Sequence, residues 1–206
     1  MAGDGRVEVA VFDLGGVLID WDPRHLYRRL FAGDEAAMED FLATVCTPEW
    51  NRCQDAGRSF AEAEAEAIAR HPTKRALIEA WWRHFDEMVP GAIEGTVAVL
   101  ARLRERGVAL YALSNWSAET FARSRARFAF LEWFAGIVIS GQEGIVKPDE
   151  RLFTVLLERY GIDPRRAVFI DDVAANTAAA EAVGMRAIRF VSPEQLAGAL
   201  EAMGLL

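Results

Sequence analysis

Cysteine, histidine and long apolar runs are all scarce in this chain, and each scarcity closes off a class of function. Cys46 and Cys53 are the only cysteines among 206 residues. Two thiols build no disulfide framework, and without a secretory signal they are expected to be free. Neither has a cysteine or histidine neighbour at zinc-ligand spacing. His25, His71 and His84 show no metal-ligand spacing either. No apolar run approaches the ~20 residues of a membrane helix. The opening Met-Ala-Gly-Asp-Gly-Arg lacks a charged-then-apolar leader pattern, so a cytoplasmic protein with no membrane partner is expected. Basic stripes are missing too. The net charge is −8, which argues against nucleic acid as a partner. Any anion bound here must be met by local cations or metal, not by the overall field. There is no internal repeat and no low-complexity linker.

What is present is ample apolar material. Hydrophobic residues make up 52% of the chain, enough for a core domain with a smaller insert. Residues 7–12 are a short β-branched run that reads as a buried strand, broken by Gly15 and Gly16. From Asp22 to about residue 90 the pattern is helical. Asp22-Pro23 supplies an N-cap and a proline at the first helical position. Ser59-Phe60-Ala61-Glu62 fits a capping box opening a helix over 60–70. Leu77, Trp81, Trp82 and Phe85 recur at helical spacing and predict a helix over 73–88. Helices and strands then alternate. Helices are expected over 94–106, 118–128, 149–160 and 174–183, strands over 108–113, 136–139, 167–170 and 186–191. Ser192-Pro193 opens a last helix. Such alternation predicts an α/β fold with a parallel sheet. The helical stretch then reads as an insertion, dividing the chain into a core of 1–19 and 91–206 and a cap of 20–90 that hangs over the end of the first strand.

Four stretches carry the polar groups that suggest chemistry: 11–17, 112–115, 146–148 and 168–172. Three lie where an apolar run gives way to a polar loop, the strand end at which open α/β sheets bind ligands. Asp13, followed by glycines that allow close approach, suits a nucleophilic carboxylate or a turn cap. Asp171 and Asp172 are adjacent carboxylates at the end of a buried strand. Ionising both needs a cation, and magnesium takes a few carboxylates while keeping water and phosphate as its other ligands. Alone, the pair also reads as the cap of helix 174–183. Lys147 is held extended by Pro148 and offers a point charge to a phosphate. Ser114 and Asn115, between a strand and a helix, either bind an anion or cap the helix.

As a set, the order, spacing and strand-end positions of these residues resemble the haloacid dehalogenase superfamily along essentially the whole chain. Asp13 stands at that family's nucleophile, Ser114 at its second motif, Lys147 at its third and Asp171-Asp172 at its fourth. The insertion resembles the family's helical C1 cap. The resemblance implies a Rossmann-like core with helices on both faces, and Mg²⁺ as cofactor. It also implies attack by Asp13 on the phosphoryl group of a small phosphorylated metabolite. The implied metal ligands are Asp13, the backbone carbonyl of Gly15, and Asp172, with Asp171 supporting them. Lys147, Ser114 and the neighbouring Asn115 would hold the phosphoryl group.

Gly15 departs from the pattern. The family's phosphatases usually carry a second aspartate there, which protonates the leaving oxygen and then activates water. Leu14-Gly15-Gly16-Val17, with Ile170-Asp171-Asp172 and Asn176, resembles a subgroup of sugar-phosphate-type phosphatases that also lack it. Two alternatives stand beside a phosphatase. A 2-haloacid dehalogenase would use Asp13 as nucleophile and needs no leaving-group acid. A non-catalytic phosphate- or metal-binding module needs no acid at all. Selectivity is expected from the cap and the loop after Asp13, with Asp20, Trp21, Asp22, Arg24, His25, Trp50, Arg52, Gln54 and Trp116 as candidates, each also explicable by packing or surface exposure. Monomer and homodimer are equally compatible with the sequence.

Overall fold

Backbone pairing begins in the apolar run after Arg6, the first residue that the computed structural model describes (residues 6–206). The strands are β1 (Val9–Phe12), β2 (Ile19–Asp20), β3 (Gly91–Ala92), β4 (Ala109–Ser114), β5 (Gly136–Ile139), β6 (Ala167–Asp171) and β7 (Arg186–Arg189). Five of them make one parallel sheet in the order β5-β4-β1-β6-β7. β1 sits at its centre because its side chains are apolar on both faces. Ala10 and Phe12 enter one apolar cluster and Val11 the other, as the two-residue strand period requires.

The helices are α1 (Pro23–Leu30), α2 (Glu35–Thr44), α3 (Pro48–Asp55), α4 (Phe60–Arg70), α5 (Arg75–Arg83), α6 (Glu94–Glu105), α7 (Ala118–Ser124), α8 (Ser140–Glu143), α9 (Glu150–Tyr160), α10 (Ala174–Ala182) and α11 (Pro193–Ala202). α6 and α11 cover the Phe12 face through Val99, Leu100, Leu103, Leu196 and Leu200. α9 and α10 cover the Val11 face through Leu152, Phe153, Leu156, Ala179 and Ala180. The sheet is therefore buried on both sides by helices, as expected of a Rossmann-like α/β fold. β1 and β6 are neighbours whose following core helices, α6 and α10, lie on opposite faces. That makes their carboxyl ends the switch point at which such sheets open a ligand crevice.

Helices α1–α5 all fall between β2 and β3, an antiparallel pair with Ile19 opposite Ala92 and Asp20 opposite Gly91. Asp22 caps α1 by accepting from the Arg24 N–H, and both halves of the Ser59/Glu62 capping box are formed. Leu26, Tyr27, Met38, Phe41, Phe60 and Trp81 join the same apolar cluster as the Phe12 face of the sheet. The inserted helices are thus packed onto the sheet's own core. Cys46 lies buried among them with its thiol pushed up to about 12, chiefly by burial, and both cysteines are free.

Three local expectations are revised. The segment 73–88 is three pieces, a 3₁₀ turn over Pro72–Lys74, then α5, then a 3₁₀ turn over Phe85–Met88. Its apolar spacing holds across the breaks, since Ile78, Trp81, Phe85 and Met88 are all buried. The chain must turn after Met88, whose carbonyl accepts from the Asp22 N–H where β2 and β3 come together. α7 likewise stops at Ser124 and tightens into a 3₁₀ turn. The β2–β3 pair was not anticipated, because two-residue strands carry too little pattern to read. No helix among the described residues is long and apolar enough to cross a membrane.

Candidate active site

Asp13, Ser114 and Asp171 stand at the carboxyl ends of the three central strands, so parallel pairing alone brings them together. The Asp13 Oδ1 accepts from its neighbour's Leu14 N–H and from the Ser114 hydroxyl, both at 2.7 Å. Its Oδ2 faces the Lys147 ammonium at 2.9 Å. Lys147 also donates to Asp171 at 2.6 Å and lies 5.2 Å from the centre of the Phe169 ring. The Lys147 and Asp171 side chains are both 0% exposed, a wholly buried ion pair. Asn176, in the first turn of α10, donates to both Asp171 oxygens at 3.0 Å, and the Val173 N–H adds a third bond. Asp171 thus satisfies the turn that opens α10 and the Lys147 charge at once.

Lys147 reaches the site because its backbone is pinned. Asn115 accepts from the Lys147 N–H at 2.8 Å and donates to its carbonyl at 3.1 Å. The Asn115 amide, expected to bind phosphate, is therefore engaged in holding the lysine's main chain. Ser114 is no helix cap either. Its hydroxyl fixes the Asp13 carboxylate.

The charges are balanced tightly. Burial pushes the Asp13 carboxyl up to about 7, helped by the Asp171 charge and opposed by Lys147 and Ser114. Burial alone would lower the Lys147 ammonium, but Asp13 and Asp171 outweigh it and hold it above its ordinary value. Asp172, more exposed, is raised by burial and by the Asp171 charge. Asp13, Asp171 and Asp172 bring ligand oxygens within 4.8 Å of one another. One ammonium cannot neutralise three such carboxylates. Among the described residues no backbone N–H is donated to the Gly15 carbonyl. An all-oxygen, net-negative donor set of this kind fits a hard divalent cation such as Mg²⁺.

The glycines of the first loop differ. A Cβ on Gly15 would meet only the Trp21 Cβ, at 3.8 Å, an ordinary contact. A Cβ on Gly16 would fall 2.8 Å from the Asp172 Oδ2, on a backbone with φ +75°. Gly16→Ala is therefore expected to destabilise the fold by about 1–2 kcal/mol through the left-handed conformation alone. It should also push Asp172 out of place and weaken Mg²⁺ binding at least about tenfold, the scale seen when a metal's supporting groups are disturbed. Thermal melts and a calorimetric Mg²⁺ titration check both.

Above the carboxylates lies a cavity of about 350 Å³. Its floor is Asp13, Gly15, Gly16, Ser114, Asn115 and Asp172, and its walls include Trp116, Thr120 and Asn176. The inserted segment roofs it with Trp21, Asn51, Asp55 and Phe85. Of the selectivity candidates, Trp21 and Trp116 are lining residues. Trp116 is also buried and donates from its ring to Thr120, so packing and lining coincide. The others lie elsewhere. Arg24 pairs with Asp22 and Glu39, and His25 with Asp20. Trp50 packs edge-on against Phe60 and Trp81. Arg52 reaches Glu49 at 3.9 Å, and Gln54 is buried, bonded to the Trp50 carbonyl and Arg58. Sequence reading missed Asn51, Asp55, Phe85 and Thr120. One signal pointed to Asp55. It ends α3, where the helix dipole disfavours a carboxylate.

Known proteins share the fold that carries this site. The family model for haloacid dehalogenase-like hydrolases matches residues 7–184. A sesquiterpene phosphatase, astK of Aspergillus oryzae, is 25% identical over 86% of this chain and 87% of its own. A phosphoserine phosphatase of Thermus thermophilus is 33% identical over 64% of this chain, which spans about half (52%) of that enzyme. Among solved structures, a haloacid dehalogenase family enzyme from Bacteroides thetaiotaomicron, in complex with magnesium and inorganic phosphate, superposes with a TM-score of 0.68. It shares 23% identity, over 90% of this chain and 95% of that one, a likeness of fold.

Proposed function

The chain belongs to the haloacid dehalogenase-like hydrolases, and on that ground we propose that it is a magnesium-dependent phosphohydrolase using Asp13 as its nucleophile. The observation that carries this reading is the Asp13 carboxylate at the cavity floor, held by the Ser114 hydroxyl at 2.7 Å and the Lys147 ammonium at 2.9 Å. Asp13, the Gly15 carbonyl and Asp172 would hold Mg²⁺, with Asp171 behind them. The ion supplies charge neutralisation and orientation for a transferring phosphoryl group. Asp13 attacks phosphorus to give an aspartyl-phosphate, which water then hydrolyses. Lys147, fixed by Asn115 and Asp171, favours the ionised form of Asp13 against the effect of burial and meets the negative charge on the phosphoryl oxygens. Ser114 orients Asp13 and offers its hydroxyl to the same group. Residues 20–90 act as the cap, and residues 6–19 with 91–206 as the core; residues 1–5 of the expected core lie outside the described residues.

The cavity also bears on the substrate. None of its lining residues is Arg, Lys or His, and three are aspartates. A second anionic group on the substrate would find no partner there and would meet like charge. Its aromatic walls, Trp21, Phe85 and Trp116, suit an uncharged alcohol with apolar or sugar-like faces. The sesquiterpene named for one relative is such a group, and the phosphoserine named for another is not.

A panel of phosphate monoesters assayed with and without Mg²⁺ tests the reading. Phosphate release that requires Mg²⁺ is expected, with esters of neutral sugars and alcohols ahead of phosphoserine and bisphosphates. Halide release from 2-chloropropionate with no phosphate release from any ester would replace it with a dehalogenase. Neither release would leave a binding module.

A further inference from the structure

Gly15 leaves this site without the side chain that would protonate a leaving oxygen, yet a second carboxyl lines the same cavity. Asp55 enters from the roof, on the last turn of α3. It is held by contacts that fix both its position and its direction. The Asn51 amide, one turn back, donates to the Asp55 Oδ2 at 3.0 Å. The Ser117 backbone N–H also favours the charged carboxylate. The Asp55 main-chain carbonyl accepts from the Ser140 hydroxyl at 2.6 Å, and the same hydroxyl accepts from the Trp116 N–H at 3.0 Å. The end of α3 is therefore tied to the loop that follows β4, the strand beside β1, and to the start of α8 after β5. An inserted carboxyl that merely solvated a surface would need none of these ties.

The surroundings suit a group that gives and takes a proton near neutrality. Burial pushes the Asp55 carboxyl up to about 7, and the Asp13 charge from the sheet adds to that. The Ser117 N–H and Arg52, on the same helix, pull the other way. The C-terminal end of α3 disfavours the charged form as well.

We propose that Asp55 is the general acid and base of this site, supplying from the inserted helix what Gly15 lacks. This assignment rests on the phosphohydrolase reading above. In the first half-reaction an Asp13 oxygen bonds to phosphorus and the phosphorus–ester oxygen bond breaks. The electron pair stays on the ester oxygen, which takes the proton of the Asp55 carboxyl and departs as the alcohol. In the second, ionised Asp55 takes a proton from water while the water oxygen bonds to phosphorus. The bond from phosphorus to Asp13 breaks, its electron pair returns to the Asp13 carboxylate, and Asp55 is again protonated.

The test compares two esters in wild-type protein and in Asp55→Asn, both with saturating Mg²⁺. An alkyl phosphate needs its leaving oxygen protonated, whereas p-nitrophenyl phosphate releases a stable anion. Asp55→Asn is expected to lower kcat/KM for the alkyl ester by about 10²–10³ and for p-nitrophenyl phosphate by less than about tenfold. The acid must be protonated to act, so wild-type kcat/KM for the alkyl ester should fall as pH rises through the Asp55 pKa. That limb should be missing in the variant. Gly15→Asp placed in the Asp55→Asn background, where a Cβ at position 15 meets only an ordinary contact with Trp21, should restore at least about tenfold for the alkyl ester. Unchanged alkyl-ester turnover in Asp55→Asn overturns the assignment. So do equal losses on both esters with no rescue by Gly15→Asp, which mark Asp55 as a packing residue. A wild-type protein inert toward every ester overturns the phosphohydrolase reading and takes this assignment with it. Active wild type with an unaffected variant overturns the assignment alone.

Discussion

Asp13→Asn is expected to abolish Mg²⁺-dependent phosphate release, a loss of at least about 10⁴-fold, because an amide forms no acyl phosphate and the two-step route closes. The fold should survive, since the replacement has nearly the same shape. Its stability should even change in a definite direction with pH. The folded Asp13 carboxyl is raised to about 7 from an ordinary 3.8, chiefly by burial. Between those values the folded protein binds more protons at this site than the unfolded chain. Stability drawn from Asp13 is therefore fully present below about pH 4 and is lost as pH rises through 7. Asparagine has no such dependence. With EDTA present, the melting temperature of Asp13→Asn minus that of wild type should be more positive at pH 8 than at pH 5. Differential scanning fluorimetry at the two pH values checks the sign, and a phosphate-release assay checks the loss. Retention of full activity would show that the nucleophile lies elsewhere.

Lys147→Met should cost more in stability than any single change on the surface. Lys147 and Asp171 have fully buried side chains 2.6 Å apart, and Asp13 lies 2.9 Å from the same ammonium. Removing the cation leaves two buried carboxylates facing each other with no opposite charge. Breaking a buried ion pair on one side typically costs about 3–5 kcal/mol, largely from the stranded charge. Exposed surface pairs typically contribute about 0–1 kcal/mol. Urea unfolding of Lys147→Met is expected to show the larger figure. The double change Lys147→Met with Asp171→Asn should recover part of it, because one of the two stranded carboxylates is gone. A single variant as stable as wild type would mean that the carboxylates are relieved by another route. Phosphate release should be lost in both variants, since neither can meet the phosphoryl charge.

How much of the site could be read from the chain depends on how each residue is positioned. Asp13, Ser114 and Asp171 were legible because each follows an apolar strand, and strand ends of a parallel sheet meet by construction. Lys147 was legible through Pro148 and through its place in the motif order, although its pinning by Asn115 was not. The same amide that looked suited to an anion is used by the backbone, a choice made by the distance between two loops. In the inserted helices the reading was weaker. Arg24, His25, Trp50 and Arg52 have site-like chemistry, but helix packing turned them toward Glu39, Asp20, Trp81 and Glu49. Asn51 carries ordinary helix-surface chemistry in sequence and Asp55 only an unfavourably placed carboxylate at a helix end, and the docking of α3 over the sheet made them cavity residues.

Local chemistry by itself determined the alternation of elements, the buried parallel sheet and the order of its motifs. These follow from the period of apolar residues and from caps such as Asp22 and Ser59, whose causes lie within a few residues of one another. The chain also determined the missing side chain at position 15. Tertiary structure decided what could stand in for it. Only the packing of the inserted helices onto the Phe12 face of the core brings the end of α3, with Asp55, over Asp13. That contact joins residues far apart in the chain, and no local pattern encodes it.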